Sequence, residues 1–284
     1  MSVARPRLAD LLSLCAPLPA LIVGVLTMRA LDVPVSAWQM NLAAALVGVL
    51  LCAFIRFSPF PRGRTAWYVM TIAAMLPILA TFASRDVDGV HRWIFLGSFA
   101  LHASAVVAPL LIASVITAPN PNFMIVTAVA TAGVLALQPD AAQACSFAGA
   151  CAVILIRDLK AGRPRKLALA LAALVACCMV SLLRPDPLHP VRHVEEIFEA
   201  VSARGAGWAA VASVALLLLP LPYFVLRRHD LALALGVYVA MVTIAPLWGT
   251  FPVPVMGYGV SPIVGYFIAL GLAMNGERPK LEPG

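Results

Sequence analysis

Ten apolar stretches, most of them long enough to cross a bilayer, decide what this chain can become. They run near 9–28, 38–56, 67–84, 99–117, 123–137, 141–156, 166–184, 206–226, 231–248 and 256–274, in 284 residues of which 62% are hydrophobic and 12% charged. A soluble domain carries roughly 25% charged residues, and a crossing helix needs about 20 apolar residues. In hydrocarbon every backbone N–H and C=O must be satisfied within the protein, so such stretches become helices. The expected fold class is all-α: a polytopic integral membrane protein of about ten transmembrane helices in a single transmembrane domain, 1–284. The fifth and sixth stretches are short and flank Gln138-Pro139-Asp140, so they read as two thin spans or as one broken pair that does not fully cross. Pro17 and Pro19 predict a bend in the first stretch, which reads as a retained span and not as a signal peptide.

Cationic residues set the expected orientation. With the N-terminus inside, fourteen Lys and Arg fall on the cytoplasmic side, most of them at the N-terminus (Arg5, Arg7), in basic loops at 56–66 and 157–166, and in a polar tail at 275–284. Six (Arg29, Arg85, Arg92, Arg184, Arg192, Arg204) fall outside, and the C-terminus returns inside. The net charge of +7 therefore follows membrane topology and gives no reason to expect a nucleic-acid partner. All six cysteines lie in apolar stretches, with no metal-ligand spacing or disulfide framework, and read as small buried hydrophobes.

Polar chemistry is concentrated in the external loop 184–205, which holds two histidines, three arginines, one aspartate and three glutamates. Val194, Ile197, Phe198 and Val201 recur at helical spacing, which predicts a short interfacial helix from Val194 with Glu195, Glu196 and Glu199 on its opposite face. Carboxylates close together near a bilayer are candidate general bases, because like charge and partial desolvation raise their pKa. Arginines beside them suit a lipid diphosphate. A solvated helix face is the plainer reading of the same glutamates. Asp140 stands where an aspartate caps the next helix. His102, within an apolar stretch, is either a functional group or a neutral histidine hydrogen-bonded between helices. The turn Asp86-Val87-Asp88-Gly89 leads into Arg92-Trp93, and Trp93 alone would read as an interfacial anchor.

Four motifs in order carry a resemblance. Arg92-Trp93-Ile94-x-Leu96-Gly97-x-Phe99 resembles the Arg-Trp-Ile-x-Leu-Gly-x-Phe of the SEDS family, the FtsW/RodA-like proteins of shape, elongation, division and sporulation. Leu137-Gln138-Pro139-Asp140 resembles the family's Leu-Gln-Pro-Asp, and His193-Val194-Glu195-Glu196-Ile197-Phe198 stands where the family has His-Thr-Asp-Phe-Ile-Phe. The segment from Gly249 through Pro252, Pro254, Gly257, Tyr258 and Gly259 to Ser261 is similar to its Gly-(few)-Pro-(few)-Ser-Tyr-Gly-Gly-Ser. There are departures. The family's Gln-Pro-Ser-Glu after Phe99 is His102-Ala103-Ser104-Ala105 here, Ala108 replaces a lysine, Ala141-Ala142-Gln143 replaces Leu-Gly-Thr, and the loop before Glu195 is short.

The resemblance implies a glycosyltransferase of peptidoglycan synthesis that polymerises an undecaprenyl-diphosphate-linked disaccharide (lipid II) by inverting transfer, on the periplasmic face of a bacterial inner membrane. It implies Glu195 as the catalytic base with Glu196 beside it. Arg92, Trp93, Asp140, Arg192, His193, Tyr258 and Ser261 would bind substrate. Membrane lipids and a single-span penicillin-binding transpeptidase would be its partners. No cofactor is fixed by the residues, and a divalent cation, Mg or Mn, stays open. The departures keep a second reading, a SEDS-like binder of lipid-linked substrate or scaffold without catalysis. A lipid or small-molecule transporter is the third, disfavoured because the two halves show no repeat.

Overall fold

The computed structural model describes residues 8–58, 64–97, 99–160, 164–184, 186–226 and 229–275. The expected polar tail after Asn275, the centres of both basic loops (59–63 and 161–163), and Arg5 and Arg7 lie outside the described residues. In order, the helices are α1 (Leu8–Cys15), α2 (Leu18–Ala30), α3 (Val35–Phe57), α4 (Arg64–Ala80), α5 (Ala103–Ile116), α6 (Pro121–Leu137), α7 (Ala141–Lys160), α8 (Pro164–Leu183), α9 (Ile197–Ser202), α10 (Ala206–Leu217), α11 (Leu221–Val225), α12 (Asp230–Ile244) and α13 (Val260–Asn275). Every apolar stretch in the sequence contains helix. Among the described residues, five helical segments are long and apolar enough to cross a membrane, and five shorter apolar helices account for the others. The chain is a multi-pass, all-α membrane protein. The short stretches around Gln138 are two separate packed helices, α6 and α7, and the expected bend at Pro17 is the break between α1 and α2.

On α3, burial is inverted relative to a helix of a soluble bundle. The buried side is small or polar (Asn41, Ala44, Gly48, Cys52), while Leu46, Leu50 and Phe54 point outward. Lipid tails are as apolar as leucine, so helix association depends on close van der Waals approach at small residues. Helix α13 shows this most fully, packing against both α3 and α5. At Gly265 a Cβ would collide with the backbone carbonyl of Ala105, so α13 can lie on α5 only because that side chain is absent.

One sequence expectation fails here. The stretch beginning at Phe99 is not helical from its start. Phe99–His102 (β2) pairs antiparallel with Trp93–Leu96 (β1), with Trp93 opposite His102, and helix begins only at Ala103. Apolar composition alone cannot separate a short strand from the first turn of a helix.

Far from α3 in sequence, the connection before α13 is held by that helix. Asn41 donates through Nδ2 to Gly257 O at 3.0 Å and accepts the Gly259 N–H through Oδ1 at 3.1 Å. Asn41→Ala leaves a carbonyl and an N–H without partners, and thermal unfolding in detergent is expected to read a loss of about 2 kcal/mol. Gly265→Val is expected to give no monodisperse folded protein on size exclusion, since the obstruction is backbone and cannot rotate away.

Candidate active site

Three connections that are distant in sequence meet at Arg92. The Asp86–Gly89 turn is closed by the Gly89 N–H on Asp86 Oδ2 at 2.8 Å and by reciprocal backbone bonds between Val87 and Val90. It feeds Arg92 into the bundle immediately ahead of β1, where it is only 4% exposed. From there its guanidinium donates to Asp186 Oδ2 at 2.7 Å and to the carbonyl of Pro139. A buried cation is tolerable only when paired and hydrogen-bonded, so these partners fix the hairpin to the Gln-Pro-Asp turn and to the loop 184–205. Arg92 Nε is buried with no partner among the described residues.

The Gln-Pro-Asp turn is polar and almost fully enclosed. Asp140 caps α7, accepting the Gln143 N–H on Oδ1 at 3.2 Å, as its position before a helix predicts. Its other oxygen accepts the Ser104 hydroxyl at 3.2 Å and lies 3.4 Å from His102 Nε2. His102 in turn caps α5, its Nδ1 accepting the Ala105 N–H. That bond places the ring proton on Nε2, toward Asp140. The ring meets Trp93 edge-on at 5.9 Å, and the His102 backbone N–H is held by Ser261 Oγ at 2.9 Å. His102 is thus hydrogen-bonded between helices, as one of its two readings expects.

Beside this cluster is an open cavity with about 690 Å³ of empty volume, its mouth included. Its polar wall is Arg92, His102, Asp140, Gln143, Tyr238 and Tyr266, and its apolar wall includes Leu219, Val239, Val242 and Phe251. Of the sequence candidates, Arg92, His102 and Asp140 line it. Gln143 and Tyr238 were missed, although a lone glutamine and a lone tyrosine inside apolar runs were a readable signal. Among the described residues, no three His, Cys or carboxylate groups are placed to hold a metal. Asp140 is committed to Gln143, Ser104 and His102, and Asp186 to Arg92. A divalent cation here would take most of its oxygen ligands from substrate phosphates.

The loop 184–205 differs from its expectation. Val191 O accepts N–H groups from Val194, Glu195 and Glu196, which makes a turn, and α9 starts only at Ile197. Glu195 and Glu196 therefore precede the helix and do not share a face with the exposed Glu199. Ile197 and Val201 are buried as the periodicity requires. Glu195 is half-buried, its Oε2 accepting the Val191 N–H at 2.9 Å. Burial pushes its carboxyl above the ordinary range, opposed by its backbone hydrogen bonds and by the charge of Arg92. Burial also lowers the imidazole of His193.

This loop also holds the segment before α13. His193 O accepts the Tyr258 N–H at 2.8 Å, Val194 O accepts the Val253 N–H at 3.2 Å, and the His193 and Tyr258 rings lie 5.9 Å apart. Gly257 is required there, because a Cβ would meet Val194 O at 2.6 Å. The remaining arginines have separate uses. Arg184 donates to the carbonyls of Ala136 and Leu137 at the end of α6, Arg204 stacks on Trp208 at 4.4 Å, and Arg192 is exposed.

No protein-family model matches the chain, and no curated protein matches it. Solved structures do. The Thermus thermophilus rod shape determining protein RodA superposes with a TM-score of 0.66 at 18% identity, over 97% of this chain and 97% of that one. An aspartate-to-alanine variant of that protein gives 0.66 at 18%, over 96% and 97%. A chain of a peptidoglycan synthase complex, described for its coordination of polymerization and crosslinking, gives 0.68 at 17%, over 96% and 97%. Nearly end to end, the chain thus has the SEDS fold represented by RodA, the fold its four motifs implied.

Proposed function

We propose that the protein is a SEDS-type peptidoglycan glycosyltransferase, acting on an undecaprenyl-diphosphate-linked disaccharide at the periplasmic face of a bacterial inner membrane. The observation that carries this reading is the junction at Arg92, which brings the motif-bearing connections to one end of a bundle with the RodA fold. The cavity beside it suits an amphipathic ligand. Polar groups for a sugar and diphosphate line one wall and apolar side chains for an isoprenoid line the other.

In this reaction a hydroxyl of the acceptor sugar attacks the anomeric carbon of the donor. The new glycosidic C–O bond forms as the bond to the diphosphate breaks, with inversion, and undecaprenyl diphosphate leaves with the electron pair. The hydroxyl proton goes to Glu195. Glu195 suits that role because it is half-buried on the loop joined to the cavity by the Asp186–Arg92 pair, and because its raised pKa makes it a stronger base than an exposed carboxylate. Glu196 adds negative charge next to it. Arg92 gives the cavity wall a fixed positive charge, and Arg192 is the exposed cation of the same loop for diphosphate. Trp93, His193, Tyr258 and Ser261 position these parts. The match to a chain of a synthase complex that couples polymerization to crosslinking supports a single-span penicillin-binding transpeptidase as partner.

A second reading, a substrate binder or scaffold without catalysis, is favoured by one observation: Glu195 does not line the cavity, and its Oε2 already accepts a backbone N–H. Glycan synthesis by purified protein from lipid-linked disaccharide decides between the two. Glu195→Gln is expected to reduce polymer yield about 10²- to 10⁴-fold. The carboxylate is the active form and its pKa is raised, so activity is expected to fall, as pH drops, at values above the ordinary carboxylate range of about 4. A carboxyl whose pKa is higher in the folded than in the unfolded state opposes folding once ionised. Glu195→Gln is therefore expected to melt no lower than the parent at pH 7, which separates lost chemistry from lost structure.

A further inference from the structure

Polar groups in an enclosed wall are normally satisfied by the protein itself. Gln143 is only partly satisfied. It is 6% exposed and lines the cavity. Its Oε1 accepts the Tyr238 hydroxyl at 2.7 Å and its backbone N–H is taken by Asp140 Oδ1, but its side-chain Nε2 has no protein partner among the described residues. Tyr238 fixes the carboxamide: a phenol donating to the carbonyl oxygen turns the two N–H groups away from α12.

Next to it is spare acceptor capacity. An ionised carboxylate offers about four acceptor positions. Asp140 commits Oδ1 to the Gln143 N–H, and Oδ2 to the Ser104 hydroxyl and the His102 ring. The open position is on Oδ1, the oxygen on the Gln143 side. A free donor and a free acceptor thus sit together in the first turn of α7. Ala142 and Phe251, which also line the cavity, belong to one small apolar cluster beside them.

We infer that Gln143 and Asp140 form a subsite for a secondary amide of the ligand. The ligand carbonyl accepts from Gln143 Nε2, its N–H donates to Asp140 Oδ1, and the adjoining alkyl group rests on Ala142 and Phe251. An acetamido substituent on a sugar and a peptide bond share this chemistry. The assignment rests on the reading of the cavity as the site of a lipid-linked sugar. Tyr238 is a positioning residue that acts through Gln143.

The test measures binding of three short-chain probes to the purified full chain in detergent: farnesyl-diphospho-N-acetylglucosamine, the corresponding glucose compound, and the glucose compound carrying a dipeptide. The acetamido probe is expected to bind about tenfold more tightly than glucose, the value of one buried hydrogen-bonded contact. Gln143→Met should erase that preference. Tyr238→Phe should weaken it, read as the ratio of acetamido to glucose affinity, with thermal unfolding of both variants confirming the fold. If the dipeptide probe gains the tenfold instead, and Gln143→Met erases it, the subsite stands and its amide is peptidic. Equal wild-type affinity for all three probes, or an undiminished preference in Gln143→Met, overturns the subsite. A protein that binds the acetamido probe selectively but makes no glycan removes the polymerase reading alone. Glycan synthesis with no preference dependent on Gln143 removes the subsite alone.

Discussion

The architecture around the cavity depends on one buried guanidinium. Removing Arg92 from water is costly, and the cost is offset only because Asp186 and the carbonyl of Pro139 reach it from two other connections. A cation in that position couples segments that the helices alone would leave independent. The hairpin supplies the charge, the Gln-Pro-Asp turn supplies a carbonyl, and the loop before α9 supplies the counter-ion. The cavity wall and the loop bearing Glu195 are thereby joined through one charge pair.

Around that unit the bundle follows the logic of packing in lipid. Contact surfaces mix alanine, glycine and serine with buried large side chains such as Leu111, Ile112 and Phe147, while other large aliphatic side chains, such as Leu46, Leu50 and Leu183, face outward. This lets α13 approach α5 to backbone distance at Gly265. It also explains how a chain with few charges can still assemble a polar cluster. Asn41, His102, Asp140 and Ser261 each satisfy backbone groups at breaks and caps, where hydrocarbon would leave them bare.

Much of this was legible in the residues. Apolar run length located each helical region, Pro17 marked a break, Asp140 marked a cap, and the Asp86–Gly89 turn followed from its composition. The failures have a common cause. The helix expected from Val194 starts three residues later because Val191 O gathers three N–H groups and because Val253 and Tyr258 bond the loop's carbonyls. Periodicity carries no trace of a partner sixty residues away. The strand at Phe99 is held by Trp93–Leu96, again outside its own window. The arginines read as phosphate ligands could not be sorted by sequence: Arg184 satisfies helix-end carbonyls, Arg204 stacks on a ring, and Arg92 is committed to the protein. Gln143 and Tyr238 acquire meaning only once α7 and α12 are packed together.

The seam beside Leu219 has a consequence for substitution. Helix continuity fails between α10 and α11. The N–H of Tyr223, which would have bonded Leu219 O in an unbroken helix, goes to Pro220 O instead. The abandoned carbonyl accepts the Tyr266 hydroxyl at 3.0 Å, and the Tyr223 hydroxyl returns a bond to Tyr266 O at 2.9 Å. Phenylalanine at Tyr266 would fill the space equally well but would take away the donor to the Leu219 carbonyl, which the break in the helix has left without an N–H, whereas Tyr266 O lies inside α13. Tolerance at Tyr266 is thus limited by polarity and not by volume, so a conservative aromatic exchange inside an apolar bundle becomes a severe one.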